Sequence, residues 1–325
     1  MNSLILIVTR SCNLRCSYCP TVKQGWPSLT TEDISTALHL FVEKFGGGEI
    51  KLFGGEPLLA PEQVRHTIRQ AESMASISKI YLSTNGLGLD LDWLAFLQRQ
   101  SKVILTISMD GRPSDHRKMR RALPGIADVY DHLMAIKQQL LAFPKLVITQ
   151  TIAPSLAYHA AQNFSHLCEL GFRKFNFLPG YFIPWRPEQL QALRTNFAQI
   201  RKWIEQYWRV GKYLYVRNLF IQAPTPFFNT GLIVDADRSI HPSNLGLSGS
   251  LDGLRVKTQI GDLDNPPTPE ALSDAAQRVN KLLQEELSEK IWNSTMAADA
   301  ELTRFCRQLW PSFLRYRKSR EVMVS

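Results

Sequence analysis

Three of the five cysteines in this 325-residue chain fall within eight residues, as Cys12-Asn13-Leu14-Arg15-Cys16-Ser17-Tyr18-Cys19. The CxxxCxxC spacing puts three soft thiolate donors on one short loop, from which they can converge on a single metal centre. A structural zinc site usually takes four ligands in paired Cys or Cys/His knuckles. No second knuckle follows here: Cys168 and Cys306 stand alone, and His39 and His66 fall in helix-like stretches. A [4Fe–4S] cluster also usually takes four protein ligands. Three ligands therefore suggest a cluster with one iron left open to an exogenous chelator, with a zinc site and unliganded thiols as the alternatives at this level. So few cysteines rule out a disulfide-stapled secreted scaffold, and a reducing cytoplasm, where thiols stay free for metal, is the expected setting.

Three further stretches carry residues suited to a small polar ligand. They are Phe53-Gly54-Gly55-Glu56-Pro57, Ser83-Thr84-Asn85-Gly86, and Ile107-Ser108-Met109-Asp110-Gly111 followed by His116 and Arg120. Each has an ordinary reading too. Gly54-Gly55 can be a plain turn, Asn85-Gly86 is a common turn dipeptide, Ser108 and Asp110 can cap the next helix, and Arg120 can belong to a solvated basic face.

These stretches need elements to position them. Short apolar runs at 4–8, 49–53, 79–83, 103–108, 146–152 and 174–178 have the Ile, Val, Leu and Phe content of strands buried on both faces. Helical patterns lie between them at 31–45, 61–76, 92–100, 126–142 and 156–170. Six β-then-α units predict an α/β fold with a parallel sheet and right-handed crossovers, either open or part of a barrel. In both, chemistry belongs at the C-terminal ends of the strands, and all four polar stretches fall there. After Pro187 the pattern changes to an amphipathic helix at 188–207 bearing Trp203, a strand- and turn-like stretch at 213–263, and helices at 270–295 and 299–318. The expected organisation is a first domain over 1–187, a connecting helix over 188–209, and an extension over 210–325.

Lys and Arg outnumber Asp and Glu by 38 to 29, giving a net charge of +9. That excess suits an acidic ligand, a peptide or a nucleic acid. No aromatic-interleaved basic stripe accompanies it, which disfavours nucleic acid. The apolar run at 4–8 is too short for a signal segment or a membrane span, so no membrane association is expected.

The cysteine segment, including the aromatic Tyr18 before its last cysteine, resembles the cluster loop of the radical S-adenosylmethionine (SAM) superfamily. Gly54-Gly55-Glu56-Pro57 is similar to that superfamily's GGEP motif, and Thr84-Asn85-Gly86 to its TNG segment. The stretch from Ser108 to Arg120 is similar to the SxDGxxxxHDxxR pattern of members carrying SPASM or Twitch extensions, with Arg117 where that pattern has Asp. The resemblance covers residues 4–180 and implies a partial (β/α)6 TIM-like barrel. It also implies that Cys12, Cys16 and Cys19 hold one [4Fe–4S] cluster whose open iron chelates SAM. Reduction of the cluster would cleave SAM to methionine and a 5′-deoxyadenosyl radical, which takes hydrogen from a substrate. The implied SAM contacts are the Gly54 and Gly55 carbonyls for the ammonium, with Glu56 and Pro57 fixing their loop. Ser108 and Arg120 would serve the carboxylate or ribose, Asn85 and Asp110 the ribose, the Tyr18 backbone the adenine edge, and Leu178 an apolar wall.

The resemblance extends to 231–243 and 260–263, which look like the framework of a SPASM/Twitch extension. Ser243 stands where that family has a cysteine, and Asn229 or a neighbour lies near the preceding cysteine position. With only Cys168 and Cys306 left, a four-cysteine auxiliary cluster cannot be built from this polypeptide. A degenerate, cluster-free Twitch-like α+β module is expected. Without an auxiliary cluster, redox-neutral outcomes are easier to explain. Epimerisation would need a thiol hydrogen donor, for which Cys306 and Cys168 are the candidates, although core packing suits both. His241 is a possible base or substrate contact and, more simply, a turn residue.

The leading functional expectation is a radical SAM enzyme that modifies a ribosomally made peptide, reduced by a flavodoxin- or ferredoxin-type donor. With the cluster loop beginning at Cys12, no leader-binding domain is expected before it, and a leader would be read by the C-terminal module or by a separate leader-peptide-binding protein. The alternatives are an epimerase, dehydrogenase or mutase on a small metabolite such as a sugar or antibiotic precursor, a nucleic-acid-modifying enzyme, and a non-catalytic SAM-binding partner subunit.

Overall fold

The computed structural model describes residues 3–19, 27–221, 230–244 and 252–324. The chain begins with β1 (Ser3–Thr9), β2 (Leu14–Cys16), α1 (Thr31–Phe45), β3 (Gly48–Gly54), α2 (Pro61–Ser73) and β4 (Ile77–Thr84). It continues with α3 (Leu91–Gln98), β5 (Val103–Ser108), α4 (Pro113–Met119), β6 (Arg120–Ala122), α5 (Val129–Ala135), α6 (Lys137–Leu141) and β7 (Leu146–Ile152). Then follow α7 (Ala160–Glu169), β8 (Lys174–Pro179), α8 (Pro187–Arg209), β9 (Tyr215–Val216), β10 (Thr230–Val234) and β11 (Ser239–Ser243). The last elements are α9 (Asp252–Thr258), β12 (Gly261–Asp262), α10 (Pro269–Glu286) and α11 (Glu289–Val324). All six strands read from apolar runs are present, in a mixed α/β fold with largely parallel pairing.

Two compact units share the chain. The first draws on Met1–Ile107, Arg120–Leu146 and Phe228–Leu287, and the second on Ser108–Met119, Val147–Phe227 and Ser288–Ser325. Both are discontinuous, whereas the expected segments 1–187, 188–209 and 210–325 are consecutive. The reason is visible in the first unit, where β10 pairs in parallel with β1 on the side opposite β3. Its strands therefore run β12-β11-β10-β1-β3-β4-β5, with β11 antiparallel to both of its neighbours. In the second unit β7, β8 and β9 pair in parallel.

Burial explains the strands: every residue of β1 is buried, as a strand covered on both faces requires. Capping explains α1, which starts on a reciprocal Thr30/Asp33 capping box and stops at Gly46 with φ of 76°. Helix boundaries differ where local signals compete. The pattern at 126–142 forms two short helices, α5 and α6, and 156–170 begins as a 3-10 turn at Pro154–His159 before α7. The expected break at 296–298 does not occur, since Met296-Ala297-Ala298 are good helix formers. The break lies instead at Leu287 and Ser288, where the Ser288 carbonyl accepts from Trp292 N–H at 3.0 Å. α9 forms within a stretch expected to be strand- and turn-like. Among the described residues no helix is long and apolar enough to cross a membrane.

Candidate functional site

The cysteine loop grows from the end of β1 and is fixed on both sides. β2 pairs antiparallel with β6, and the register places Cys16 opposite Arg120. Leu14 of β2 is buried, and Leu123 N–H donates to the Asn13 carbonyl at 3.1 Å. The Arg15 guanidinium closes the loop on itself by donating to the Cys12 and Leu14 carbonyls, each at 2.9 Å. Leu14 N–H donates to Cys12 Sγ at 3.4 Å, and Cys19 N–H to the Cys16 carbonyl at 3.1 Å. Cys12, Cys16 and Cys19 are partly exposed and not disulfide-bonded. Arg120 is buried, with its guanidinium carbon 5.4 Å from the centre of the Tyr18 ring, within cation–π range.

The Gly54-Gly55-Glu56 loop leaves β3 directly against this segment. Gly55 N–H donates to the Thr9 carbonyl and Glu56 N–H to the Ser11 carbonyl, both at 2.8 Å. A Cβ at Gly54 would lie 2.2 Å from the Thr9 carbonyl oxygen, and one at Gly55 2.2 Å from that of Ser11, so only glycine permits this approach. Glu56 is buried, and its carboxylate accepts from Thr84 Oγ1 at 2.6 Å, Asn85 N–H at 2.7 Å and Leu58 N–H at 3.1 Å. Burial pushes its pKa upward, opposed by these three donors and by the Arg120 charge. Pro57 opens a short 3-10 turn that anchors the far side of the loop. Asn85 completes a circuit, its Nδ2 donating to Asn13 Oδ1 at 2.8 Å while its Oδ1 accepts from Leu87 N–H at 2.9 Å. The first unit thus brings together the three cysteines, Tyr18, Gly54, Gly55, Glu56, Pro57, Asn85 and Arg120.

Ser108, Asp110 and Leu178 belong to the second unit. Ser108 is partly exposed at the end of β5. Asp110 is fully buried, its Oδ1 accepting from Thr151 N–H at 3.2 Å, while its own N–H donates to His116 Nδ1 at 3.3 Å. These bonds fix the turn into α4. Leu178 is a partly exposed residue of β8, paired in register with Thr151.

The two remaining thiols also lie in the second unit. Cys168 is buried in α7, and burial pushes its thiol up to about 12. Cys306, in α11, is pushed up to about 12 by burial and then by the Asp299 charge. Asp299 accepts from the Tyr181 hydroxyl at 2.8 Å. His241 lies in β11 and not in a turn. It is buried between Ser239 Oγ at 2.9 Å from Nε2 and Thr258 Oγ1 at 3.3 Å from Nδ1, and desolvation pushes it down to about 4. Ser243 is buried at the end of β11, and Asn229 lies outside the described residues.

The donor set fits an iron–sulfur cluster: three soft thiols on one anchored loop, with a backbone N–H already aimed at one sulfur. Among the described residues no three His, Cys, Asp or Glu side chains are gathered into a ligand group, so the thiols share a segment without being preassembled. Sequence reasoning missed the part played by Asn13 and the buried pair of Arg10 with Asp235. A charged residue two positions after the apolar run at 4–8 signals Arg10. Its partner, 225 residues away, carries no sequence signal.

The family model described as Radical SAM superfamily matches residues 6–141. Molybdenum cofactor biosynthesis protein 1 of Homo sapiens is 37% identical over 113 residues, covering 33% of this chain and 17% of that protein. GTP 3',8-cyclase of Chlorobaculum tepidum is 30% identical over 149 residues, covering 44% of this chain and 42% of that enzyme. The chain thus spans less than half the length of these curated relatives. Among solved structures, anSMEcpe with bound AdoMet superposes with a TM-score of 0.73 at 16% identity, covering 99% of this chain and 98% of that one. SuiB of Streptococcus suis bound to precursor peptide SuiA gives 0.54 at 11% identity, covering 74% and 58%. At such identities the likeness is one of fold. The matched residues hold the cysteine loop, the Gly54-Gly55-Glu56 loop, Asn85 and Arg120, and over this stretch the chain is similar to the radical SAM superfamily.

Proposed function

We propose that the protein is a radical SAM enzyme that takes a hydrogen atom from a peptide substrate. The observation that carries the substrate class is the likeness of fold to anSMEcpe across nearly the whole of both chains, including its form with bound AdoMet and the Cp18Cys peptide, at a TM-score of 0.72. When bound and reduced by a flavodoxin- or ferredoxin-type donor, the three-cysteine [4Fe–4S] cluster with SAM supplies a 5′-deoxyadenosyl radical.

The chain's own residues bind and orient. Cys12, Cys16 and Cys19 would hold three irons. The Gly54 and Gly55 carbonyls would accept from the SAM ammonium, and Glu56 keeps that loop and the Thr84–Asn85 turn in fixed relation. Arg120, held over Tyr18, is a cation suited to the SAM carboxylate. Ser108, Asp110 and Leu178 keep the roles the family resemblance implies. The extension over 210–325 is read as a Twitch-like module without an auxiliary cluster, and leader recognition is assigned to it or to a separate binding protein. An oxygen-sensitive cluster held by reduced thiols suits the cytoplasm.

A second reading, a small-metabolite substrate, is favoured by the GTP cyclases among the sequence relatives. One experiment separates them. Anaerobically reconstituted, reduced protein is given SAM with either a perdeuterated peptide pool or deuterated GTP. Deuterium in 5′-deoxyadenosine from the peptides supports the first reading, and from GTP the second. A full cluster with no 5′-deoxyadenosine under any condition would indicate a SAM-binding partner subunit.

A further inference from the structure

We propose that the β10–β11 hairpin positions the cysteine loop, with Asp235 acting through Arg10; the inference rests on reading that loop as the cluster-binding segment. Arg10 is fully buried at the end of β1, two residues before Cys12. Its Nε donates to Asp235 Oδ1 at 3.0 Å and its Nη2 pairs with Asp235 Oδ2, so the guanidinium is gripped as a planar fork.

Each end of this contact is itself fixed. Asp235 opens the hairpin turn: its N–H donates to the Ser239 carbonyl and its carbonyl accepts from Arg238 N–H, both at 2.9 Å, while its Oδ1 accepts from Ala236 N–H at 2.7 Å. Arg238, at a φ of 72°, ties the turn outward to Asp33 at the start of α1 at 2.9 Å and to Asp264 at 2.6 Å. At the other end, the main chain around Arg10 receives Gly55 N–H on Thr9 and Glu56 N–H on Ser11, and a Cβ at Gly55 would lie 2.4 Å from the Arg10 carbonyl. One side-chain pair therefore sets the strand end where the cysteine loop and the Gly-Gly-Glu loop meet.

Fold stability alone does not account for such a pair, because replacing a buried ion pair by well-packed apolar residues is often neutral or stabilising. What a bidentate pair adds is a defined position. This also gives the hairpin a use in a chain with too few cysteines for an auxiliary cluster: its retained contact is mechanical. The position of the loop bears on the cluster because hydrogen bonds to sulfur, such as Leu14 N–H to Cys12 Sγ, tune its potential and retention.

The test compares the reconstituted full chain with the Arg10→Met/Asp235→Leu double variant, which removes both buried charges together. The double variant is expected to match wild-type circular dichroism and thermal midpoint as apoprotein. It should lose iron to a chelator roughly tenfold faster or more, with a shifted reduction potential and an altered electron paramagnetic resonance spectrum with SAM. Asp235→Glu, which keeps the charge, should restore much of the wild-type spectrum. Wild-type retention, potential and spectrum in the double variant would overturn the proposal, as would a double variant that melts far below wild type, since the pair would then be a stability element. Failure of the wild type itself to hold a cluster would instead sink the functional reading beneath it.

Discussion

Glu56 shows how a single buried carboxylate can organise a site without touching a reacting atom. It accepts from three donors on two loops, and burial and hydrogen bonding act on it in opposite directions. Glu56→Gln turns one acceptor into an amide N–H facing a donor. The expected cost is about 1–3 kcal/mol of stability, with weaker SAM binding by calorimetry. Cys168 and Cys306 differ from the loop thiols in environment. With both pushed up to about 12, three units above the ordinary 9.0, their thiolate fraction at pH 7.5 is roughly a thousandfold below that of an ordinary cysteine. Iodoacetamide mapping of the native chain should leave them unmodified long after an exposed thiol has reacted. Rapid alkylation of Cys306 would contradict this.

His241 adds a pH dependence. Its folded pKa, about 4, lies below the ordinary 6.5, so the unfolded chain binds the extra proton in between. The stability it contributes is whole above pH 6.5 and is lost as pH falls toward 4, on the order of 3 kcal/mol in all. Urea midpoints should fall between pH 7 and pH 5, and His241→Asn should flatten that slope.

At the scale of elements, the two short strands β2 and β6 matter more than their three residues each suggest, because their ladder carries Cys16 and sets it opposite Arg120. Leu14 is the apolar anchor of that ladder. Leu14→Ala is expected to cost about 2–5 kcal/mol and to speed iron release from reconstituted protein, read by chelator absorbance. Unchanged release in a destabilised variant would mean that the ladder supports the fold and not the loop. The parallel strands were legible because their apolar runs have one interpretation at that length. β2 and β6 were not, since Leu-Arg-Cys and Arg-Arg-Ala have no strand pattern and exist as strands only because they pair with each other.

For the whole molecule, cysteine supply bounds the cofactor content. Reconstitution should give about four irons per chain, from one three-cysteine cluster, and Cys16→Ala should abolish both the cluster and 5′-deoxyadenosine formation. Eight irons would contradict the cluster-free extension.

The sequence by itself determined the chemistry-bearing segments. Thiol type and spacing, paired glycines and apolar strand runs are local properties, and each motif's place at a strand end follows from the β-then-α alternation. Only the tertiary structure decided what holds those segments in register. Asp235 meets Arg10 across 225 residues, Glu56 meets Thr84, and β10 lies beside β1 so that late and early parts of the chain form one unit. Such partners are selected by burial, where an unpaired charge or donor is too costly to leave. Burial at long range has no signature in the neighbouring residues.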